Sequence, residues 1–157
     1  MDESTFSLLT FLDERRTSLL QDWWVNQLEV FHDKVAYDGI WIDMNEPSVF
    51  HQPFLTMPLD SVHLTTEGAV IFHRDVHNLY GSLMMKTAHE GLLERNHRLA
   101  KAEDTNGGIA GVQRPFVLTR AFFLGSQKYG AYWTGDNRDG FDELSGSVSM
   151  LLSAGVA

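Results

Sequence analysis

Asp43 and Asp136 are the two carboxylates of this sequence best placed to do chemistry. Asp43 follows the apolar run Ile40-Trp41-Ile42, and Asp136 follows a run through Tyr132-Trp133-Thr134. Between them, Phe116-Val117-Leu118-Thr119 ends at Arg120. A buried strand that stops at a charged residue is how a parallel α/β barrel delivers catalytic groups to its C-terminal rim. On such a rim the three ends share one face, so distance along the chain is no obstacle to their meeting. Two opposed carboxyl groups can act as nucleophile or base and as general acid, the pair that glycosidic-bond hydrolysis uses. The acid must keep its proton near neutrality, which like charge and apolar neighbours such as Trp133 favour. Arg120 would hold sugar hydroxyls or keep a carboxylate ionised. A plainer reading stands beside this one: Asp43 caps the turn after its strand, and Gly135-Asp136-Asn137 is simply a turn.

Those strand ends need elements to carry them. From Asp13 to about Asp33, Leu20, Trp24, Leu28 and Phe31 recur at spacings of three and four, with Glu14, Arg15, Arg16 and Gln27 elsewhere; this predicts a helix. The Trp23-Trp24 pair is expected to pack against a sheet rather than to form a sugar platform. Tyr37 to Asp43 reads as a strand. Residues 44–74 hold Pro47, Pro53 and Pro58 and no clear period, so a long loop is expected directly after Asp43. Barrel active-site loops occupy that position.

Asp75 suits an N-cap or first turn. Val76, Leu79, Tyr80, Leu83 and Thr87 then mark a helical face running to about Arg95. Residues 96–113, polar and containing Asn106-Gly107-Gly108, read as a surface loop. A strand at Phe116–Thr119, a short helical turn within 121–128 and a strand over about 129–134 follow. A last helix carries Phe141, Leu144, Val148 and Leu151 on one face. Residues 1–12 read as irregular or weakly helical. Alternation of this kind predicts an α/β fold with parallel strands and crossovers.

Composition narrows the partners. Hydrophobic residues at 43% against 21% charged indicate a globular chain rather than a disordered one. A net charge of −9 argues against nucleic acid, whose phosphates need a basic surface. With no cysteine, disulfides and thiolate metal sites are excluded. No apolar run approaches the roughly 18–20 residues of a membrane span. The acidic start Met1-Asp2-Glu3 does not fit a signal peptide.

Three longer stretches carry a resemblance. Asp38-Gly39-Ile40-Trp41-Ile42-Asp43-Met44-Asn45-Glu46-Pro47-Ser48-Val49-Phe50 resembles the nucleophile motif of glycoside hydrolase family 31, the α-glucosidase family. Arg114-Pro115-Phe116-Val117-Leu118-Thr119-Arg120, continuing to Tyr132-Trp133-Thr134-Gly135-Asp136-Asn137, resembles that family's acid/base region. His73-Arg74-Asp75-Val76-His77-Asn78-Leu79-Tyr80-Gly81 resembles its glucosidase II α-subunit and neutral α-glucosidase branch. The resemblance implies a partial (β/α)8 TIM barrel of roughly three central βα units, with residues 1–157 a central fragment of one catalytic domain. It implies a retaining double displacement on terminal α-linked glucose of oligosaccharides or N-glycans. Asp43 would be the nucleophile and Asp136 the acid/base. Arg120 would bind the glucose, Trp41, Met44 and Trp133 would line its pocket, and Phe50 would lie towards the leaving group. Glu46 would be a support rather than a catalyst. No metal or cofactor is required. In the glucosidase II branch, N-glycan trimming in the endoplasmic reticulum with a non-catalytic β-subunit would follow.

The chain also departs from the pattern. Ile42 stands where that branch commonly has Asn, Leu124 replaces a usual Ala, and Asn137-Arg138-Asp139-Gly140 is atypical. The family's earlier sugar-binding acid and later histidine have no counterpart here. Three rival readings remain. His73 and His77 have helical metal-ligand spacing, but seven histidines make one such pair expected by chance. A sugar-binding module without turnover would not need two opposed acids. An isolated barrel segment would leave strand edges and an apolar face uncovered, so as a 157-residue chain it is expected neither to fold stably nor to turn over.

Overall fold

The computed structural model describes residues 14–64, 69–104 and 111–155. The expectations for residues 1–12, for the loop tip at 105–110 and for the Leu20 side chain lie outside the described residues. Helix α1 (Glu14–His32) leads into strand β1 (Gly39–Ile42). A hairpin of β2 (Val62–Leu64) and β3 (Val70–Phe72) comes next, then α2 (His73–Asp104), β4 (Phe116–Thr119), β5 (Ala131–Tyr132) and α3 (Phe141–Gly155). The central sheet has the order β1-β4-β5 and both pairings are parallel. Ile42 stands opposite Thr119, and Thr119 opposite Tyr132. The three strands therefore end level, and the Arg120 N–H continues the ladder to the Ile42 carbonyl at 3.2 Å.

The core lies between this sheet and α2. Ile42, Met85, Ala88, Leu92 and Val117 are buried together, with Trp24, Leu28, Tyr37, Ile40, Met84 and Tyr129 packed around them. Gly130 permits a close approach at the start of β5, because a Cβ there would stand 2.3 Å from the Val117 carbonyl oxygen. Helix α2 also meets α1 on its other side, where Gly91 faces Val25. A helix covered on two sides needs apolar residues around more than one stripe. The predicted face of Val76, Leu79, Tyr80, Leu83 and Thr87 therefore missed the spine of Met85, Ala88 and Leu92.

Several expectations change. Residues 96–104 are helical rather than loop: α2 runs to Asp104, and buried Asn96 donates from Nδ2 to the Gln113 carbonyl at 2.8 Å. The excursion at 44–74 contains the antiparallel β2–β3 hairpin and a 3₁₀ turn at Pro53–Leu55. Strand β5 is shorter than expected, and the turn before it is a 3₁₀ segment, Ser126–Lys128. Phe31, expected in the core, is exposed. On α3, Phe141, Leu144, Val148 and Leu151 do form one face, but it is uncovered, with Phe141 89% exposed. No helix among the described residues is long and apolar enough to cross a membrane.

Candidate active site

The level strand ends bring the expected charged groups to one edge of the sheet. Asp43 leaves β1, Arg120 leaves β4, and Asp136 lies beyond β5 on the loop to α3. One guanidinium nitrogen, Arg120 Nη1, stands 3.4 Å from Asp43 Oδ1 and 3.6 Å from Asp136 Oδ2. Those two distances end to end place the two carboxylate oxygens no more than about 7 Å apart. The rest of the fork faces Glu46: Nε donates to Oε1 at 2.7 Å and Nη2 to Oε2 at 3.1 Å, a bidentate pair. The Glu46 hydrogen bond is the main cause that raises the Arg120 pKa above its ordinary value, with the charges of Glu46, Asp43 and Asp136 adding and burial opposing. The cation is thus permanent, and its side chain is 18% exposed, against 43% for Asp43 and 81% for Asp136.

Around these charges stand the expected aromatic residues. Trp41, on β1, is 64% exposed, and its ring meets Trp133 edge to face with centroids 5.3 Å apart. Together they make an apolar wall beside the acids. Met44 has φ +56°, a left-handed conformation uncommon outside glycine and asparagine, and its N–H bonds Asp43 Oδ1 at 2.8 Å. That bond fixes the carboxylate that leaves β1. Phe50 is exposed on the loop that follows, which is closed by the Ser48–Thr56 bridge and by the Val49 N–H to the Leu55 carbonyl.

Sequence reasoning passed over Asn45. Its side chain is buried and bonded to Gly81, Thr119 and Ala121. The only available signal was its place between Asp43 and Glu46. His73 and His77, whose spacing had raised a metal site as a rival reading, lie in a short chain of histidines. His73 Nε2 lies 2.8 Å from His77 Nδ1, and His73 Nδ1 lies 3.1 Å from His63 Nε2. Both ring nitrogens of His73 are thus engaged by neighbouring imidazoles. Among the described residues no group of three or more His, Asp or Glu side chains is arranged to hold a metal ion.

Known proteins carry the same arrangement of sequence. The model for the glycosyl hydrolases family 31 TIM-barrel domain matches residues 10–157. A probable glucan 1,3-alpha-glucosidase of Oryza sativa subsp. japonica is 40% identical over 146 residues, covering 87% of this chain and 13% of its own. The neutral alpha-glucosidase AB of Homo sapiens is 41% identical over 143 residues, covering 87% of this chain and 13% of its own. Among solved structures, an ER glucosidase II heterodimer of catalytic subunit and regulatory-subunit binding domain superposes with a TM-score of 0.66. It is 38% identical and covers 93% of this chain and 14% of that one. The chain thus spans about one eighth of the length of these curated relatives. With residues 10–157 matched by the model for that family's domain, the chain belongs to glycoside hydrolase family 31.

Proposed function

We propose that this chain is the segment of a retaining α-glucosidase that carries both catalytic carboxyl groups. It would be the central part, roughly three βα units, of one (β/α)8 catalytic domain. The observation that supports this best is the single Arg120 nitrogen in reach of both Asp43 and Asp136. Retaining enzymes hold their carboxyls about 5–5.5 Å apart, and inverting enzymes about 6.5–9.5 Å. The bound of about 7 Å between Asp43 Oδ1 and Asp136 Oδ2 accommodates the first range.

In this reading Asp43 attacks the anomeric carbon of a terminal α-linked glucose while Asp136 gives its proton to the departing oxygen. The bond from the anomeric carbon to that oxygen breaks, and an ester to Asp43 forms. Asp136, now a carboxylate, takes a proton from water, and the water oxygen displaces Asp43. Arg120 sets a positive charge 3.4 Å from Asp43 Oδ1 and holds sugar hydroxyls. Trp41 and Trp133 provide the apolar wall, Met44 fixes Asp43, and Phe50 faces the leaving group. Neither step needs a cofactor or a metal. The substrate would be an α-glucoside oligosaccharide or an N-glycan. The glucosidase II neighbour further suggests a non-catalytic β-subunit and residence in the endoplasmic reticulum lumen.

The experiment is release of glucose from an aryl α-glucoside by the full-length chain that carries this segment, with the first-formed anomer read by proton NMR. α-Glucose as first product is expected. β-Glucose first would refute the retaining mechanism, and no release would refute the hydrolase reading. Release by the 157-residue chain alone would refute the reading that it is a fragment of the working unit.

A further inference from the structure

We propose that Asn45 is a positioning residue that sets where Arg120 stands relative to Asp43 and Glu46. The proposal rests on the hydrolase reading above and adds to it a residue that touches neither sugar nor acid.

The Asn45 residue is 3% exposed, and every polar group of its side chain is used. Nδ2 donates to the Gly81 carbonyl at 3.2 Å and to Thr119 Oγ1 at 2.8 Å. Oδ1 accepts the Ala121 N–H at 3.1 Å. The Thr119 hydroxyl proton has the Ala121 carbonyl at 3.2 Å and Asn45 Oδ1 at 3.1 Å as acceptors. Two donors and one acceptor on the amide thus meet three separate backbone or hydroxyl groups, and none is left over.

What matters is where those partners lie. Thr119 and Ala121 are the residues on either side of Arg120. Asn45 itself sits between Asp43 and Glu46, the two carboxylates of the β1 end that Arg120 contacts. One amide therefore joins the backbone flanking the guanidinium to the backbone flanking its partners. The third anchor is α2, through Gly81. A Cβ on Gly81 would stand 2.2 Å from the Ala121 Cβ and 2.4 Å from the Asn45 carbonyl oxygen, so the helix touches both halves of the clamp. If the clamp opens, Arg120 shifts against Asp43, and a displacement of about 1 Å at such a site costs roughly 100-fold in rate.

Aspartate has the shape of asparagine but no N–H to give. In Asn45→Asp a carboxylate oxygen would face the Gly81 carbonyl oxygen in a buried place. Simple filling of buried polar groups predicts something different from positioning. Lost filling lowers the amount of folded enzyme whatever occupies position 120. Lost positioning matters only while an arginine is there to be positioned.

The test is a double-mutant cycle in the full-length chain, with turnover of an aryl α-glucoside measured per folded molecule. Asn45→Asp is expected to lower kcat by roughly 100-fold. In an Arg120→Lys background the same change is expected to cost under about threefold more, because the two act through one interaction. Equal losses in both backgrounds would overturn the proposal, as would a folded Asn45→Asp enzyme with parental kcat. If Asn45→Asp does not fold, Thr119 decides: Thr119→Val is expected to lower kcat by about tenfold and Thr119→Ser to restore most of it. Equal losses in those two variants would overturn it as well. A parent without turnover would remove the hydrolase reading and this proposal together, whereas an active parent with an additive cycle removes this proposal alone.

Discussion

The two acids sit on unequal ground. Asp43 belongs to a knitted rim. Its carboxylate takes the Met44 N–H, its neighbour Asn45 is bonded to the next strand and to α2, and Glu46 grips Arg120 with two bonds. Asp136 belongs to a loose one. It is 81% exposed, and the other rim reaches it through the 3.6 Å approach of Arg120. An open cleft of about 470 Å³ lined by Asn137, Arg138, Phe141 and Leu144 follows it, and the apolar face of α3 beyond is uncovered. A nucleophile must be held at a fixed distance from carbon, so a fixed setting suits the role proposed for Asp43. An acid that later becomes a base needs exchange with water, and an exposed setting suits the role proposed for Asp136.

This difference predicts unequal losses. Under the proposed mechanism Asp43→Asn removes the group that forms the ester, and turnover of every α-glucoside is expected to fall by about 10⁴-fold or more. Near-parental rates with any substrate would remove Asp43 from that role. Asp136→Asn is expected to cost about 10²- to 10⁴-fold on an oligosaccharide, whose departing oxygen needs a proton. On an aryl glucoside with a strongly acidic phenol the first step needs little help, so the loss in kcat/KM should shrink to about tenfold or less. If both variants lose equally on both substrates, the contrast between the rims does not extend to chemistry.

How much of this the sequence disclosed depends on the kind of signal. β1 and β4 were legible because Ile40-Trp41-Ile42 and Phe116-Val117-Leu118 are short apolar runs that stop at charges. The rim placement of Asp43 and Arg120 followed from that alone. α2 was legible in type but not in length, since a helix buried on two sides loses the single apolar stripe that marks its face. Met85 and Leu92, which belong to the core, therefore lie off the stripe read from Val76, Leu79, Tyr80, Leu83 and Thr87. The hairpin Val62–Leu64 with Val70–Phe72 escaped because three-residue strands are too short to show alternation. Asn45 escaped for another reason: a buried amide reveals itself only through partners that are far off in sequence, here Gly81, Thr119 and Ala121.

Glycines separate the rims on the scale of stability. Alanine normally improves a helix over glycine by about 1 kcal/mol, so Gly81→Ala would be a gain on an exposed helix. Here the added methyl meets Ala121 Cβ at 2.2 Å and a backbone oxygen at 2.4 Å. The clash should win, with a net loss of about 2–3 kcal/mol. Gly140→Ala, on the loose rim, meets nothing within 4 Å and is expected to stay within about 0.5 kcal/mol of the parent. Chemical denaturation of the two variants measures both, and a Gly81→Ala midpoint at or above that of the parent would mean the knitted rim yields more easily than its contacts imply.

Acid should loosen one rim and spare the other. Burial, then the nearby His77 and His63, pushes the His73 pKa down to about 4, and burial also lowers that of His63. In the unfolded chain a histidine titrates near 6.5. Between those values the unfolded chain binds a proton that folded His73 refuses, so stability falls as pH drops through the window from about 6.5 to 4. The slope is at most about 1.4 kcal/mol per pH unit for His73, or about 2 kcal/mol between pH 7 and pH 5. The histidine chain ties β2, in the loop that follows Asp43, to the first turns of α2, whereas α3 carries no histidine. Hydrogen exchange at pH 5, corrected for its intrinsic rate, should therefore lose protection first around Val62–Leu64 and Val70–Phe72, with α3 unchanged. His73→Gln should flatten the pH dependence of the denaturation midpoint. A midpoint that falls with acid equally in parent and variant would place the acid-sensitive contact elsewhere, and the knitted rim would owe its cohesion to the Asn45 and Glu46 bonds without the histidines behind them.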